Sequence, residues 1–192
     1  MNLPNKITIS RIALIPLVMF FYLASFIPHG KAVAIFLFIL AAYTDHLDGA
    51  IARKRNMVTD FGKFLDPIAD KLLVASALFL IVCDGTVAQP WGVIIATIII
   101  AREFIVSALR LVASTKGRVM AADIWGKMKT FVTDIALPIF MFVALNNQYN
   151  FLPAVWGNIF VWLAYITLGA ATILTIMSGC NYLFKNKDVL KG

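Results

Sequence analysis

The chain has 192 residues, 61% of them apolar and only 14% charged, and its mean hydropathy is +0.86. Soluble domains average about 45–50% apolar and about 25% charged, so an ordinary water-soluble globule is excluded, as are a disordered chain, a collagen-like repeat and a disulfide scaffold. Lys+Arg 17 against Asp+Glu 10 gives +7, which in a polytopic membrane protein reports the positive-inside rule and not nucleic acid.

A membrane span needs roughly 20 apolar residues to cross about 30 Å of hydrocarbon. Six such stretches follow one another: Ile7 to Ile27, Ala32 to Ala52, Phe64 to Val82, Trp91 to Val112, Phe131 to Leu145 and Val155 to Phe184. The first runs past the length of a signal h-region without a small-residue cleavage site, so it is expected to stay as a helix. Pro4, Pro28 with Gly30, Gly85 with Pro90, and Asn146-Asn147 through Pro153 punctuate the gaps. No internal repeat is visible. The expectation is an all-α polytopic membrane protein, a bundle of six transmembrane helices forming a single domain over residues 1–192.

Placing the N-terminus in the cytoplasm puts Lys6, Arg11, Arg53-Lys54-Arg55, Lys63, Lys71, Lys116, Arg118, Lys127, Lys129, Lys185, Lys187 and Lys191 at cytoplasmic ends or loops, with Lys31 outside. N-in and C-in follows. Cys83 and Cys180 lie far apart in or beside apolar runs and read as small core hydrophobes.

Carboxylates inside membrane segments cost a few kcal/mol each on insertion scales, so each needs a partner, a cavity or a function. Four of only ten in the chain, Asp45, Asp48, Asp66 and Asp70, fall in one short stretch. Asp45 and Asp48 are three apart and Asp66 and Asp70 four apart, so each pair lies on one helix face. The second and third helices, joined by a short basic loop, bring the pairs together at the cytoplasmic end. Oxygen-only ligands suit hard divalent ions such as Mg2+, Mn2+ or Ca2+, and four carboxylates suffice to bridge two. The competing reading is ion pairing with Arg53, Lys54, Lys63 and Lys71, which does not require same-face pairs on consecutive helices.

Gly49 and Ala52 share a face with the first aspartate pair, and Gly62 precedes the third helix. Small side chains admit either a close helix or a ligand. Followed at once by Arg53, which can fork onto a phosphate, they form a candidate floor for a nucleotide-phosphate pocket. Asn5, Thr8 and Arg11 lie at the same membrane face, suited to a segment covering a headgroup site or to an N-cap and snorkelling anchor.

The run from Asp45 to Asp70 matches D-x-x-D-G-x-x-A-R-x8-G-x-x-x-D-x-x-x-D at all eight fixed positions, Asp45, Asp48, Gly49, Ala52, Arg53, Gly62, Asp66 and Asp70. It resembles the signature of the CDP-alcohol phosphatidyltransferase family. His46 and Ala50 stand where bulkier aromatic residues are expected, without touching the ligand positions. The start Asn2 to Arg11, the run Phe61 to Lys71, Ala101-Arg102-Glu103-Phe104 with Arg110, and Trp125 to Thr130 are similar to bacterial members that make phosphatidylglycerophosphate.

The resemblance implies a membrane enzyme moving a phosphatidyl group from CDP-diacylglycerol to glycerol 3-phosphate with release of CMP. It implies that Asp45, Asp48, Asp66 and Asp70 bind Mg2+ or Mn2+, two ions, and that Asp70 also takes the acceptor proton. Gly49, Ala52, Arg53, Gly62 and Thr8 fall on the CDP-diacylglycerol side. The acceptor's phosphate needs a separate cationic site, for which Arg110 and Lys127 are the candidates, with Arg102 in support. Arg102 is deep in an apolar run and can instead pair with Glu103 or Asp134. A homodimer in a bacterial cytoplasmic membrane, with its site facing the cytoplasm, completes the expectation. Another acceptor (phosphatidylglycerol, inositol phosphate or serine) is the nearest alternative, and a divalent-cation transporter a remote one.

Overall fold

Gly30, Gly85, Pro90 and Pro153 stand at or beside helix ends. A computed structural model describes residues 3–54, 60–115 and 124–185, with side chains described there except at 3–4, 45–54, 60–61, 63–64 and 115. Six α-helices account for it: α1 (Leu3–Leu23), α2 (Gly30–Lys54), α3 (Asp60–Cys83), α4 (Trp91–Thr115), α5 (Ile124–Tyr149) and α6 (Ala154–Lys185). No strand occurs among the described residues.

Two helices, the first and the fifth, depart most from the apolar stretches. The first helix starts at Leu3 and stops at Leu23, because the chain must turn before Gly30 and His29 takes a left-handed φ of 59° there. The fifth starts at Ile124, seven residues before Phe131, so Lys127 and Lys129 stand on the helix itself. Its polar first turns obey the helical period although they lack the apolar run that marks a span.

The α1–α2 turn is tight for a definite reason. A Cβ on Gly30 would sit 2.4 Å from the carbonyl oxygen of Phe21, so only glycine lets α2 start against the end of α1. At the other hairpin, Asn146 Oδ1 accepts from the Leu152 amide at 3.0 Å, and Pro153 leads into α6.

Helix α1 packs against both α2 and α3, α5 lies along α6, and α4 leans on α3 and α6. Small residues line the seams. Ala34, Ala41, Ala77, Ala136, Ala144 and Ala164 are buried in the main core with Phe38, Leu78, Ile81, Phe140 and Met141, which lets helix backbones approach closely.

The outside of the bundle is apolar. Trp162 is 69% exposed, Leu111 67% and Phe104 60%, an exterior that belongs in lipid and not in water. Four of the helices are long and apolar enough to cross a membrane: α1, α4, α5 and α6. Helix α2 has a shorter apolar stretch, Gly30–Thr44, and α3 carries Asp66, Asp70 and Lys71 in its first half. Cys83 and Cys180 are exposed, which corrects their reading as core residues. An apolar neighbourhood in such a chain marks the lipid face as readily as the interior.

Candidate active site

The ends of the bundle have opposite characters. At one end Asp84, just past α3, accepts from Tyr22 Oη at 2.5 Å and from Lys31 Nζ at 3.2 Å. This clasp ties together the end of α1, the start of α2 and the end of α3. Helix direction then puts the start of α1, the end of α2 and the start of α3 at the other end, where the aspartate signature lies. The chain places both signature segments there because its helices alternate in direction.

On α3, Asp66 and Asp70 are one turn apart. Asp66 is exposed and Asp70 half-buried. Thr8 on α1 is 1% exposed, and its Oγ1 donates to Asp66 Oδ1 at 2.5 Å. Asn5 and Arg11, spaced three residues to either side of Thr8, are also buried, so the start of α1 turns a polar stripe inward. Arg11 therefore does not snorkel: it is 0% exposed. The side chains of Asp45, Asp48, Gly49, Ala52 and Arg53 lie outside the described residues, while their backbone forms the last turns of α2. Gly62, at the start of α3, is buried.

Asp70 opens onto a narrow cleft between α3, α4 and α5, shared with Lys71, Glu103, Lys129, Thr130 and Asp134. Glu103 is the hub of its far wall. One of its carboxylate oxygens accepts from Arg102 at 3.0 Å and also from Lys129. Arg102 donates in addition to Ser178 of α6, passing Gly179, where a Cβ would lie 3.1 Å from the arginine Cγ. Arg102 is thus held by an ion pair with Glu103, and its Nε meets no hydrogen-bond acceptor among the described residues.

Arg110 has a different setting. Its Nε donates to Tyr182 Oη at 3.1 Å and its guanidinium stands 5.5 Å from the Tyr182 ring centre. That contact does not use the terminal nitrogens, which form the fork that matches a phosphate. Lys127 is exposed on the first turns of α5. The structure brings Lys129 and Glu103 to the cleft, where the sequence offered Glu103 only as a partner for Arg102 and Lys129 only as a basic residue at a cytoplasmic end. An acid at membrane depth directly beside an arginine was the available signal, since such a group requires a cationic partner.

Among the described residues no three His, Cys, Asp or Glu side chains gather into a metal cluster. The described half fits a hard cation: Asp66 and Asp70 offer only oxygen, from one face of one helix, and a hydroxyl donor holds Asp66.

The model of the CDP-alcohol phosphatidyltransferase family matches residues 1–177. The chain belongs to that family. Members of the family generally use a divalent metal. A Bacillus subtilis protein named CDP-diacylglycerol--glycerol-3-phosphate 3-phosphatidyltransferase is 43% identical over 99% of this chain and 97% of its own length. A Rickettsia bellii protein of the same name is 41% identical over 94% and 93%. A Mycobacterium tuberculosis protein named probable phosphatidylglycerophosphate synthase is 36% identical over 95% and 80%.

Proposed function

We propose that this chain transfers the phosphatidyl group of CDP-diacylglycerol to glycerol 3-phosphate, giving phosphatidylglycerophosphate and CMP. The observation that carries the reading is near full-length identity to relatives that bear this enzyme name. The polar end of the bundle supports it, because a membrane-embedded donor and a phosphorylated, water-soluble acceptor can meet there at the bilayer surface.

In this reading Asp45, Asp48, Asp66 and Asp70 hold two divalent ions, Mg2+ or Mn2+, whose chemistry is to neutralise the diphosphate and the charge that develops on its oxygens. Gly49, Ala52 and Gly62 let the diphosphate approach helix backbone, Arg53 forks onto it, and Thr8 borders the same pocket from α1. The acceptor hydroxyl attacks the phosphorus that carries diacylglycerol, the bond from that phosphorus to the CMP oxygen breaks, and Asp70 receives the hydroxyl proton. Arg110 and Lys127 bind the acceptor's own phosphate. Arg102 acts behind them, through Glu103.

The proposal extends to the whole chain. Residues 1–192 form one domain of six membrane-spanning helices, N-in and C-in, in a bacterial cytoplasmic membrane with the site facing the cytoplasm. In support, Lys31 stands at the Asp84 end, whereas Arg102, Arg110, Lys127 and Lys129 stand toward the other. The family resemblance supports a homodimer.

Purified protein given CDP-diacylglycerol and separate acceptors tests the reading. CMP release and phosphatidylglycerophosphate are expected with glycerol 3-phosphate. Robust transfer to another alcohol with none to glycerol 3-phosphate overturns it. Asp70→Asn should abolish CMP release in a folded protein, and retained turnover refutes Asp70 as the base.

A further inference from the structure

A hydrogen bond reaches the signature aspartate Asp66 from another helix: Thr8 of α1 donates to it, between residues 58 positions apart in sequence. Its 2.5 Å length lies at the short end of the range for O–H···O hydrogen bonds, about 2.5–3.0 Å. The two partners differ in freedom. Thr8 is β-branched, with few χ1 rotamers, and is buried on a helix whose inward stripe also buries Asn5 and Arg11. Asp66 is exposed, and with no cross-helix partner its carboxylate would sample several orientations. A buried donor thus holds an exposed acceptor.

The count of donors sharpens the role. A threonine hydroxyl has a single proton, and here it points at Asp66. The carboxylate has about four lone-pair directions, so one bond from Thr8 leaves capacity for a cation.

We propose that Thr8 is a positioning residue of the metal site, orienting the Asp66 carboxylate from α1 so that the site is assembled before substrate arrives. The inference rests on the reading of Asp66 as a metal ligand. It makes the docking of α1 a condition of metal affinity, although α1 carries none of the eight signature residues.

The test is Mn2+ binding to full-length protein in detergent, without substrate, followed by electron paramagnetic resonance of the free ion. Loss of a partner that orients a ligand typically costs 10–100-fold in metal affinity, so Thr8→Val should weaken Mn2+ binding by about that factor. Thr8→Ser, which keeps the hydroxyl, should bind nearly as the parent does. The Mn2+ concentration for half-maximal CMP release should rise in Thr8→Val, with the rate recovered at saturating Mn2+. Thr8→Ala gives the same comparison if Thr8→Val does not fold. Equal losses in the Ser and Val variants overturn the hydrogen bond as the cause. Unchanged Mn2+ affinity with a raised KM for CDP-diacylglycerol overturns the positioning role and makes Thr8 a substrate contact. Asp66→Asn separates the two levels: if it loses Mn2+ while Thr8→Val does not, the Thr8 inference alone fails. If neither loses Mn2+, the assignment of Asp66 as a ligand fails and the inference with it.

Discussion

Arg102 and Arg110 stand eight residues apart on α4 and have different partners. Sequence spacing alone makes them equivalent, two cations on one face. Packing separates them: Arg102 is held between Glu103 and Ser178, and Arg110 is held by its Nε against Tyr182. A charge-assisted hydrogen bond is worth about 1.5–3 kcal/mol, which corresponds to roughly 10- to 150-fold in affinity. Arg110→Ala and Lys127→Ala should each raise the KM for glycerol 3-phosphate by a factor toward the lower part of that range, leaving the KM for CDP-diacylglycerol unchanged. Steady-state kinetics with each substrate varied in turn decides it. A rise confined to the nucleotide substrate removes both residues from the acceptor site. The aspartates themselves were legible as residues, since acids within largely apolar runs are rare enough in such a chain to announce a function. Their partners were not: nothing in the sequence pairs Thr8 with Asp66 or Lys129 with Glu103, because each bond spans two helices whose rotation is set by packing.

The α1–α2 hairpin puts the element scale to a direct test. Gly30 lies against the Phe21 carbonyl, so Gly30→Ala forces a backbone shift of one helix against the other. Overpacking of this kind costs about 1–3 kcal/mol. Gly169, in the middle of α6, has nothing within 4 Å of an added Cβ, and Gly169→Ala should be neutral or stabilising, since alanine is favoured in a helix by about 1 kcal/mol. Thermal unfolding in detergent should show a lowered midpoint for Gly30→Ala and none for Gly169→Ala. Equal shifts in the two would remove close approach as the reason for Gly30. The existence and order of the helices could be read from apolar runs and from proline and glycine punctuation. The exact start of α5 could not be read from the apolar run, because the turns bearing Lys127 and Lys129, though expected to open that helix, are polar and belong to it by continuation of its hydrogen bonds.

For the molecule as a whole, the contrast between its two ends predicts a topology. A cysteine introduced at Gln89, beside the Asp84 clasp, should react with a membrane-impermeant maleimide in intact cells. One at Ser114, near the end of α4, should react only after the membrane is opened. Both are placed in a Cys83→Ser, Cys180→Ser background, since the native cysteines are exposed. The reverse pattern overturns the N-in orientation. Sequence by itself determined that this is a helical membrane protein with one acidic signature, because hydrophobic length and the scarcity of intramembrane charge are properties of the chain alone. Tertiary structure decided which apolar faces meet lipid and which meet each other, and so why Cys83 and Cys180 lie outside while the alanines lie in seams. It also decided that Thr8 of α1, a helix with no signature residue, bonds to Asp66. Apolar side chains look alike in sequence whether they face lipid or a neighbouring helix, and only the packed bundle tells the two apart.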